Sequence, residues 1–203
     1  MEKPAILETL AGIAAPVAAA LGLEIWGIEI VQAGRAVVRI FVDVPAGAQG
    51  VNAADDAEGG AGAPLSATIG QCEEISRHVG LALEAEDVIP SAYVLEVSSP
   101  GLTRTIFRPD QLARYLGDVI EASLTDPLPE LGNHRRFRGL LESVADGMFT
   151  LRLCSVSPEG RVEAQEQLVS LPWAGCRKVV RQHIFVQPVK PGKGGKKTVP
   201  RQG

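Results

Sequence analysis

Aromatic residues are scarce in this chain of 203 residues, which contains five Phe, two Trp and two Tyr. Any hydrophobic core must therefore consist mainly of Val, Ile, Leu and Ala. Proteins that bind single strands through rows of stacked bases need many aromatic side chains. A broad stacking platform of that kind is excluded by the composition.

Cysteine is also rare, and Cys72, Cys154 and Cys176 lie far apart with no C-x-x-C pair. This spacing favours neither a disulfide framework nor a zinc site. The acidic run Asp55–Glu58 lacks the ligand spacing of a calcium loop. We expect reduced thiols in a cytoplasmic protein, with no metal and no cofactor.

No apolar run is long enough to cross a bilayer, since the uncharged stretch Leu10–Leu23 has only 14 residues. The residues before it carry a net negative charge, whereas a secretory leader begins with positive charge. Apolar side chains recur at helical spacing, which predicts an amphipathic helix over Lys3–Leu21. They are Ile6, Leu10, Ile13, Val17 and Leu21.

The motifs of hydrolytic enzymes are missing as well. The serines of "EVSSPG", Ser98 and Ser99, lack the first glycine of the G-x-S-x-G nucleophile elbow. Pro100 holds Ser99 extended and prevents immediate entry into a helix. None of the three histidines forms a recognisable pattern with these serines. We therefore expect no catalytic residues and no enzyme.

The first half contains alternating patterns that predict an α-β-β-α-β order. Trp26, Ile28 and Ile30 are expected on one face of the first strand, and "RAVVRIFVDV" alternates as a second strand. Thr68 and Gln71 fit a capping box at the start of a second helix. The predicted buried stripe of that helix is Ile69, Cys72, Ile75, Val79 and Leu83. "AYVLEVS" then predicts the third strand.

Residues 45–64 interrupt this pattern with Ala, Gly, Pro and acidic residues. Such a stretch buries too little apolar area to offset its ordering entropy, so we expect a mobile insertion. The first domain is predicted over residues 1–106.

The second half has five short strand patterns, and Asp146-Gly147 is a strong hairpin signal between two of them. The strand spacing predicts a small SH3-like or Sm-like barrel over residues 107–188. Residues 189–203 form a basic Gly/Pro-rich stretch that predicts a disordered tail. The whole chain is therefore expected to be an α+β protein of two domains.

Charge is divided unevenly between the halves. Residues 1–106 have 14 acidic and 5 basic side chains, and residues 107–203 have 10 and 15. The division indicates either two solvated surfaces or two modules with different partners, of which RNA is one. The candidate contacts to RNA or to an RNA–protein surface are Arg104, Arg108, Arg135, Arg136, Arg138, Arg177, Lys178 and Arg181.

The stretch "YVLEVSSPGLTRTIFRPDQLARYLGDVI" resembles the signature region of the RimP ribosome maturation factors. Matching segments extend back through "CEEISRHVGLALEAEDVI" and "LEIWGIEIV", and forward to "FRGLLESVADGMFTL". The signature residues carried over are Glu96, Ser98, Ser99, Pro100, Gly101, Leu102 and Arg104. Thr103, Thr105 and Ile106 depart from the family pattern.

The resemblance implies a KH-like first domain, an SH3/Sm-like barrel and a non-catalytic cytoplasmic factor. Such a factor binds the free small ribosomal subunit and helps a decoding-region ribosomal protein to join. We expect a monomer whose signature residues form an interdomain joint. A general RNA-binding regulator that uses the Sm-like barrel is the alternative. Whether Arg104 braces the joint or contacts phosphate, and which domain contacts RNA, are left open by the sequence.

Overall fold

The computed structural model describes residues 3–46, 66–89 and 91–185. The first half contains α1 (Lys3–Ala20), β1 (Glu24–Ala33), β2 (Arg35–Asp43), α2 (Ile69–Glu86) and β3 (Tyr93–Ser98). The predicted α+β class and the α-β-β-α-β order are therefore confirmed. Most of the predicted insertion at 45–64 and all of the predicted tail at 189–203 lie outside the described residues.

Residues 104–181 contain one short helix and six strands. They are β4 (Arg104–Ile106), α3 (Pro109–Leu112), β5 (Val119–Leu128), β6 (His134–Ala145), β7 (Met148–Val156), β8 (Val162–Pro172) and β9 (Cys176–Arg181). Three 3-10 turns, at Ala113–Tyr115, Pro129–Leu131 and Trp173–Gly175, connect them.

Helix α1 packs on the first sheet through small and apolar side chains, of which Leu10, Ala14 and Ala18 are fully buried. It ends where Gly22 takes a φ of 72°, a conformation that glycine adopts without a Cβ penalty. The Leu23 amide then donates to the Ala18 carbonyl at 2.9 Å, and the Leu21 amide donates to the same oxygen at 3.0 Å, so this carbonyl of the last turn is satisfied. Within the described part of the chain, no helix combines the length and hydropathy needed to span a membrane.

The first sheet has the strand order β1-β2-β3. Strands β1 and β2 form an antiparallel hairpin, and β3 returns parallel to β2 after the crossover through α2. Val38, Ile40 and Val42 alternate along β2 and are fully buried in the core shared with both helices. The alternation predicted for this strand is confirmed.

Helix α2 begins with the predicted capping box at Thr68. The Gln71 amide donates to Thr68 Oγ1 at 3.3 Å, and the Thr68 amide donates to Gln71 Oε1 at 2.9 Å. Ile75, Val79 and Leu83 are buried as predicted. The prediction for Ile69 is wrong, because its side chain is 88% exposed. It is the first helical residue and precedes the turn at which α2 meets the core.

The second sheet has the order β4-β9-β5-β6-β7-β8, and every neighbouring pair is antiparallel. Asp146 and Gly147 have φ values of 51° and 71° and form the predicted two-residue turn between β6 and β7. Strands β5 to β9 match the five strand patterns. Strand β4 lies within the residues predicted for the first domain, but it pairs with β9 and buries Ile106 in the core of the second sheet.

The two sheets meet at Trp26, and here one expectation is wrong. Alternation predicts Trp26 on the same face as Ile28 and Ile30. Instead, Trp26 packs in the core of the second sheet, while the two isoleucines pack against the core of the first sheet. The cause is a β-bulge, since Ile25 pairs with Val42 and the next pair is Gly27 with Phe41. Trp26 is the extra residue, and a bulge redirects the side chain that it inserts.

Candidate functional site between the two sheets

The signature segment connects β3 to β4 and so passes from the first sheet to the second. Ser98 ends β3, and the chain turns at Gly101, whose φ of 74° favours glycine. Leu102 is 57% exposed beyond the turn. Glu96 lies before the turn on β3 and pairs with Arg39 of β2 at 2.7 Å on an exposed face.

Arg104 opens β4 and forms an ion pair with Asp43 at the end of β2. The Asp43 side chain is fully buried, and the Arg104 side chain is 15% exposed. Arg104 Nε also donates to the Gly101 carbonyl at 2.8 Å, which fixes the turn to the strand that follows it. A desolvated charge is tolerated only when it is paired and hydrogen-bonded, so each partner requires the other.

Trp26 lies beneath this pair and contacts both sides of the junction. Its Nε1 donates to the Thr105 carbonyl at 2.8 Å. The guanidinium carbons of Arg104 and Arg114 lie 5.6 Å and 5.3 Å from its ring centroid, within the range of cation–π attraction. Tyr115 meets the same ring edge-on at 6.3 Å. A fully buried aromatic side chain is thus held by polar groups of β4 and of the 3-10 turn Ala113–Tyr115.

Gln111 makes a second set of bonds across the junction and is fully buried. Its Oε1 accepts from the Phe107 amide at 2.8 Å and the Arg108 amide at 3.2 Å, and its Nε2 donates to the Trp26 carbonyl at 2.7 Å. Sequence reasoning missed this residue. The "RPDQ" stretch, with Pro at the first helical position and Gln at the third, carried the signal of a short capped helix.

The backbones approach closely at Gly27, where a Cβ would lie 2.1 Å from the Phe107 ring. Phe107 also packs against Phe41 of β2, with ring centroids 5.7 Å apart. At the periphery, Arg114 bonds Glu24 at 2.8 Å. We call the whole contact between the two sheets the joint. Its residues are Glu24, Trp26, Gly27, Phe41, Asp43, Arg104, Thr105, Phe107, Gln111, Arg114 and Tyr115.

The eight candidate contact cations separate into two groups. Arg104, Arg108, Arg138 and Arg181 are paired with carboxylates of this chain, the last with Asp118 at 2.8 Å. The other four are Arg135, Arg136, Arg177 and Lys178. All four are exposed, and none forms an ion pair with another residue that the structure describes.

Strand register brings two of the unpaired cations into one row, although 42 positions separate them in sequence. Ser123 of β5 pairs with Arg136 of β6 on one side and with Lys178 of β9 on the other. Opposite residues of antiparallel strands project to the same face. We call Arg136, Ser123 and Lys178 the cation row.

None of the three thiols has the features of a reactive group. Burial raises the pKa of Cys72, Cys154 and Cys176, the last to about 11, which disfavours the thiolate in each case. The Cys176 thiol donates to the Pro172 carbonyl, with Sγ 3.4 Å from the oxygen. Over the described ranges, no three His, Cys, Asp or Glu side chains are grouped so as to hold a metal ion.

Comparison with known proteins identifies a matching family and relatives of this chain. Residues 13–103 match the family described as the RimP N-terminal domain, and the match ends one residue before β4. The ribosome maturation factor RimP of Desulfovibrio desulfuricans is 46% identical over 95% of this chain and 86% of its own length. The protein of that name from Nitratidesulfovibrio vulgaris strain DP4 is 47% identical over 93% of this chain and 96% of its own length. The one from Lawsonia intracellularis is 35% identical over 94% of this chain and 93% of its own length.

Identity at this level over nearly the whole chain establishes the family, and it agrees with the resemblance found in the signature region. The chain belongs to the family of ribosome maturation factors RimP.

Proposed function

We propose that this protein assists the late maturation of the small ribosomal subunit, which it binds in the free form and without catalysis. The observation that carries the proposal is its membership of a family whose relatives are named ribosome maturation factors. A protein of this kind works by binding one assembly state more tightly than another, because only differential affinity shifts an equilibrium. We place this activity in the cytoplasm.

We infer two domains that meet at the Gly101 turn, a KH-like first domain and an SH3/Sm-like barrel. The α-β-β-α-β order supports the first assignment, and the antiparallel sheet of consecutive hairpins supports the second. Each core is completed within one chain, which supports a monomer.

The signature residues act in this proposal as a joint that fixes how the two domains face each other. Arg104 is assigned to the joint rather than to a phosphate, because its donors are directed to Asp43, Gly101 and Tyr115. A fixed orientation matters for an assembly factor because contacts made by both domains then form together, with less ordering on binding.

The contacts with the subunit are assigned by charge. The acidic first half suits a basic ribosomal protein of the decoding region, and the basic second half suits ribosomal RNA. Within the second half, the exposed and unpaired cations are the available ones, since an arginine already paired with a carboxylate must first lose that partner. They are Arg135, Arg136, Arg177 and Lys178.

Sedimentation of a cell extract through a sucrose gradient at low salt tests the proposal. The protein should migrate with free small subunits, and less of it with assembled ribosomes. A variant with Arg135, Arg136, Arg177 and Lys178 changed to Ala should remain near the top of the gradient. Migration of the unaltered protein at the top would contradict the proposal. Equal binding to unrelated RNAs without any association with subunits would favour the general RNA-binding regulator.

A further inference from the structure

The cation row presents three hydrogen-bond donors on one outer face of the second sheet. Neighbouring strands are about 4.8 Å apart, so the backbones at Arg136 and Lys178 lie about 10 Å apart with Ser123 midway between them. The adjacent row confirms the direction in which the side chains point. Phe137, Ala122 and Val179 alternate with the cation row and are buried in the core beneath it.

The charges beside the cation row leave it positive. Two positions further along the strands on this face, the Glu121 carboxylate is paired with Arg138 at 2.7 Å. The row itself combines a guanidinium, a hydroxyl and an ammonium group. Such donors match phosphate oxygens, and the guanidinium binds them in pairs.

A cleft of about 330 Å³ adjoins the Lys178 end of the row. Its lining includes Trp173, Phe107 and Thr105, together with Glu29 of the first sheet. Arg177 also lines it, because Arg177 is the extra residue of a β-bulge opposite Ser123 and Leu124. The cleft therefore offers aromatic surface, hydrogen-bonding groups and cations at the junction of the two sheets.

We propose that this face binds a single-stranded segment of RNA, with its phosphates along the cation row and one unstacked base in the cleft beside Trp173. The inference rests on the proposed function and names the RNA-contacting face of the same protein. A single strand is favoured because a base reaches an aromatic ring only when it is unpaired and splayed out. With one partly exposed tryptophan available, one base is bound rather than a stacked series.

Binding of a short oligouridylate at several salt concentrations tests the row. Each cation that contacts a phosphate of a single strand contributes about 0.7 to the slope of log affinity against log salt. Arg136→Ala/Lys178→Ala should therefore lower the slope by about 1.4. The matched control Arg35→Ala/Arg77→Ala removes the same charge from two exposed residues of β2 and α2 in the first half and should leave the slope unchanged. An equal change in both variants, or none in either, would overturn the inference.

Tryptophan emission tests the cleft, because the chain has only Trp26 and Trp173 and Trp26 is fully buried. The single-stranded oligomer should quench the emission of the unaltered protein, and Trp173→Phe should abolish the quenching. Far-UV circular dichroism checks that each variant is folded. Binding without quenching, or equal quenching by the same strand annealed to its complement, would overturn the assignment of the cleft.

The two proposals fail differently. If the unaltered protein does not migrate with small subunits but its row binds the oligomer as described, the proposed function is wrong and the RNA face stands. If the protein migrates with subunits while Arg136→Ala/Lys178→Ala binds the oligomer like the control, the RNA face is wrong and the proposed function stands.

Discussion

Removing the Arg104 guanidinium should destabilise the protein far more than removing an arginine from a surface ion pair. In Arg104→Ala the Asp43 carboxylate stays buried with neither oxygen paired, because Oδ1 already has no partner among the described residues. Breaking a buried pair by removing one partner costs about 3–5 kcal/mol. The bond to the Gly101 carbonyl is also lost, at about 1 kcal/mol. We expect the unfolding free energy to fall by about 4 kcal/mol.

Arg39→Ala is the matched control, since Arg39, like Arg104, pairs with a carboxylate. Its partner, Glu96, lies on the neighbouring strand of the first sheet. The Arg39 and Glu96 side chains are 41% and 48% exposed, and an exposed pair contributes about 0.2–1 kcal/mol. Urea unfolding followed by circular dichroism gives the free energies. In a Trp173→Phe background, tryptophan emission reports the joint itself, because the Trp26 ring lies beneath Arg104.

A double-mutant cycle separates the ion pair from its surroundings. Asp43→Ala/Arg104→Ala removes both charges and should be less destabilised than the sum of the single variants, with a coupling of about 2 kcal/mol or more. If Arg104→Ala costs no more than Arg39→Ala, or if the two single changes simply add, the buried pair does not hold the joint and the reasoning is refuted.

Three further predictions concern packing, ionisation and capping. Gly27→Ala places a Cβ against the Phe107 ring and should lower the free energy of unfolding in urea by about 1–3 kcal/mol. The control Gly12→Ala meets nothing within 4 Å and should stabilise its helix by about 1 kcal/mol. Effects of the same sign in the two variants would contradict the packing argument. Burial raises the pKa of Cys176 to about 11 from 9.0, so the thiol loses its proton at lower pH in the unfolded state than in the folded state. The contribution of this thiol to the free energy of unfolding should therefore be complete below pH 9 and decline between pH 9 and 11. Comparison with Cys176→Ser in unfolding at each pH measures it, and an opposite slope would refute it. Thr68→Ala should cost about 1 kcal/mol through loss of the cap, and an unchanged melting temperature would show that the cap contributes nothing.

Local pattern was sufficient for much of the fold. The capping box at Thr68, the Asp146-Gly147 turn and the alternation along β2 each depend on residues within a few positions of one another. These short-range rules gave the α-β-β-α-β order and the five longer strands of the second sheet. The family resemblance is confirmed by the comparisons, and with it the prediction that the protein is not an enzyme.

Contacts between residues that are far apart in sequence could not be predicted from local pattern. Nothing near Asp43 indicates that its partner is Arg104, 61 positions away, or that the polar face of β2 is covered there by the second sheet. The three-residue strand β4 is too short for a period, and the bulge at Trp26 reverses a face assignment that alternation alone supports. The cation row exists only because β5 lies between β6 and β9, which is a matter of topology.

The joint also changes how the charge division between the halves is understood. An acidic first half and a basic second half suggested separate partners, yet some of those charges meet each other. Arg114 of the second half pairs with Glu24 of the first half, so part of the complementarity between the halves holds the two sheets together. The pair between Arg104 of β4 and Asp43 of β2 also joins the two sheets, although both residues lie within residues 1–106. The exposed cations of the cation row are then the part directed outward. The two roles are separable by experiment: loss of Arg104 should lower stability first, whereas loss of Arg136 and Lys178 should weaken binding while the unfolding free energy is retained.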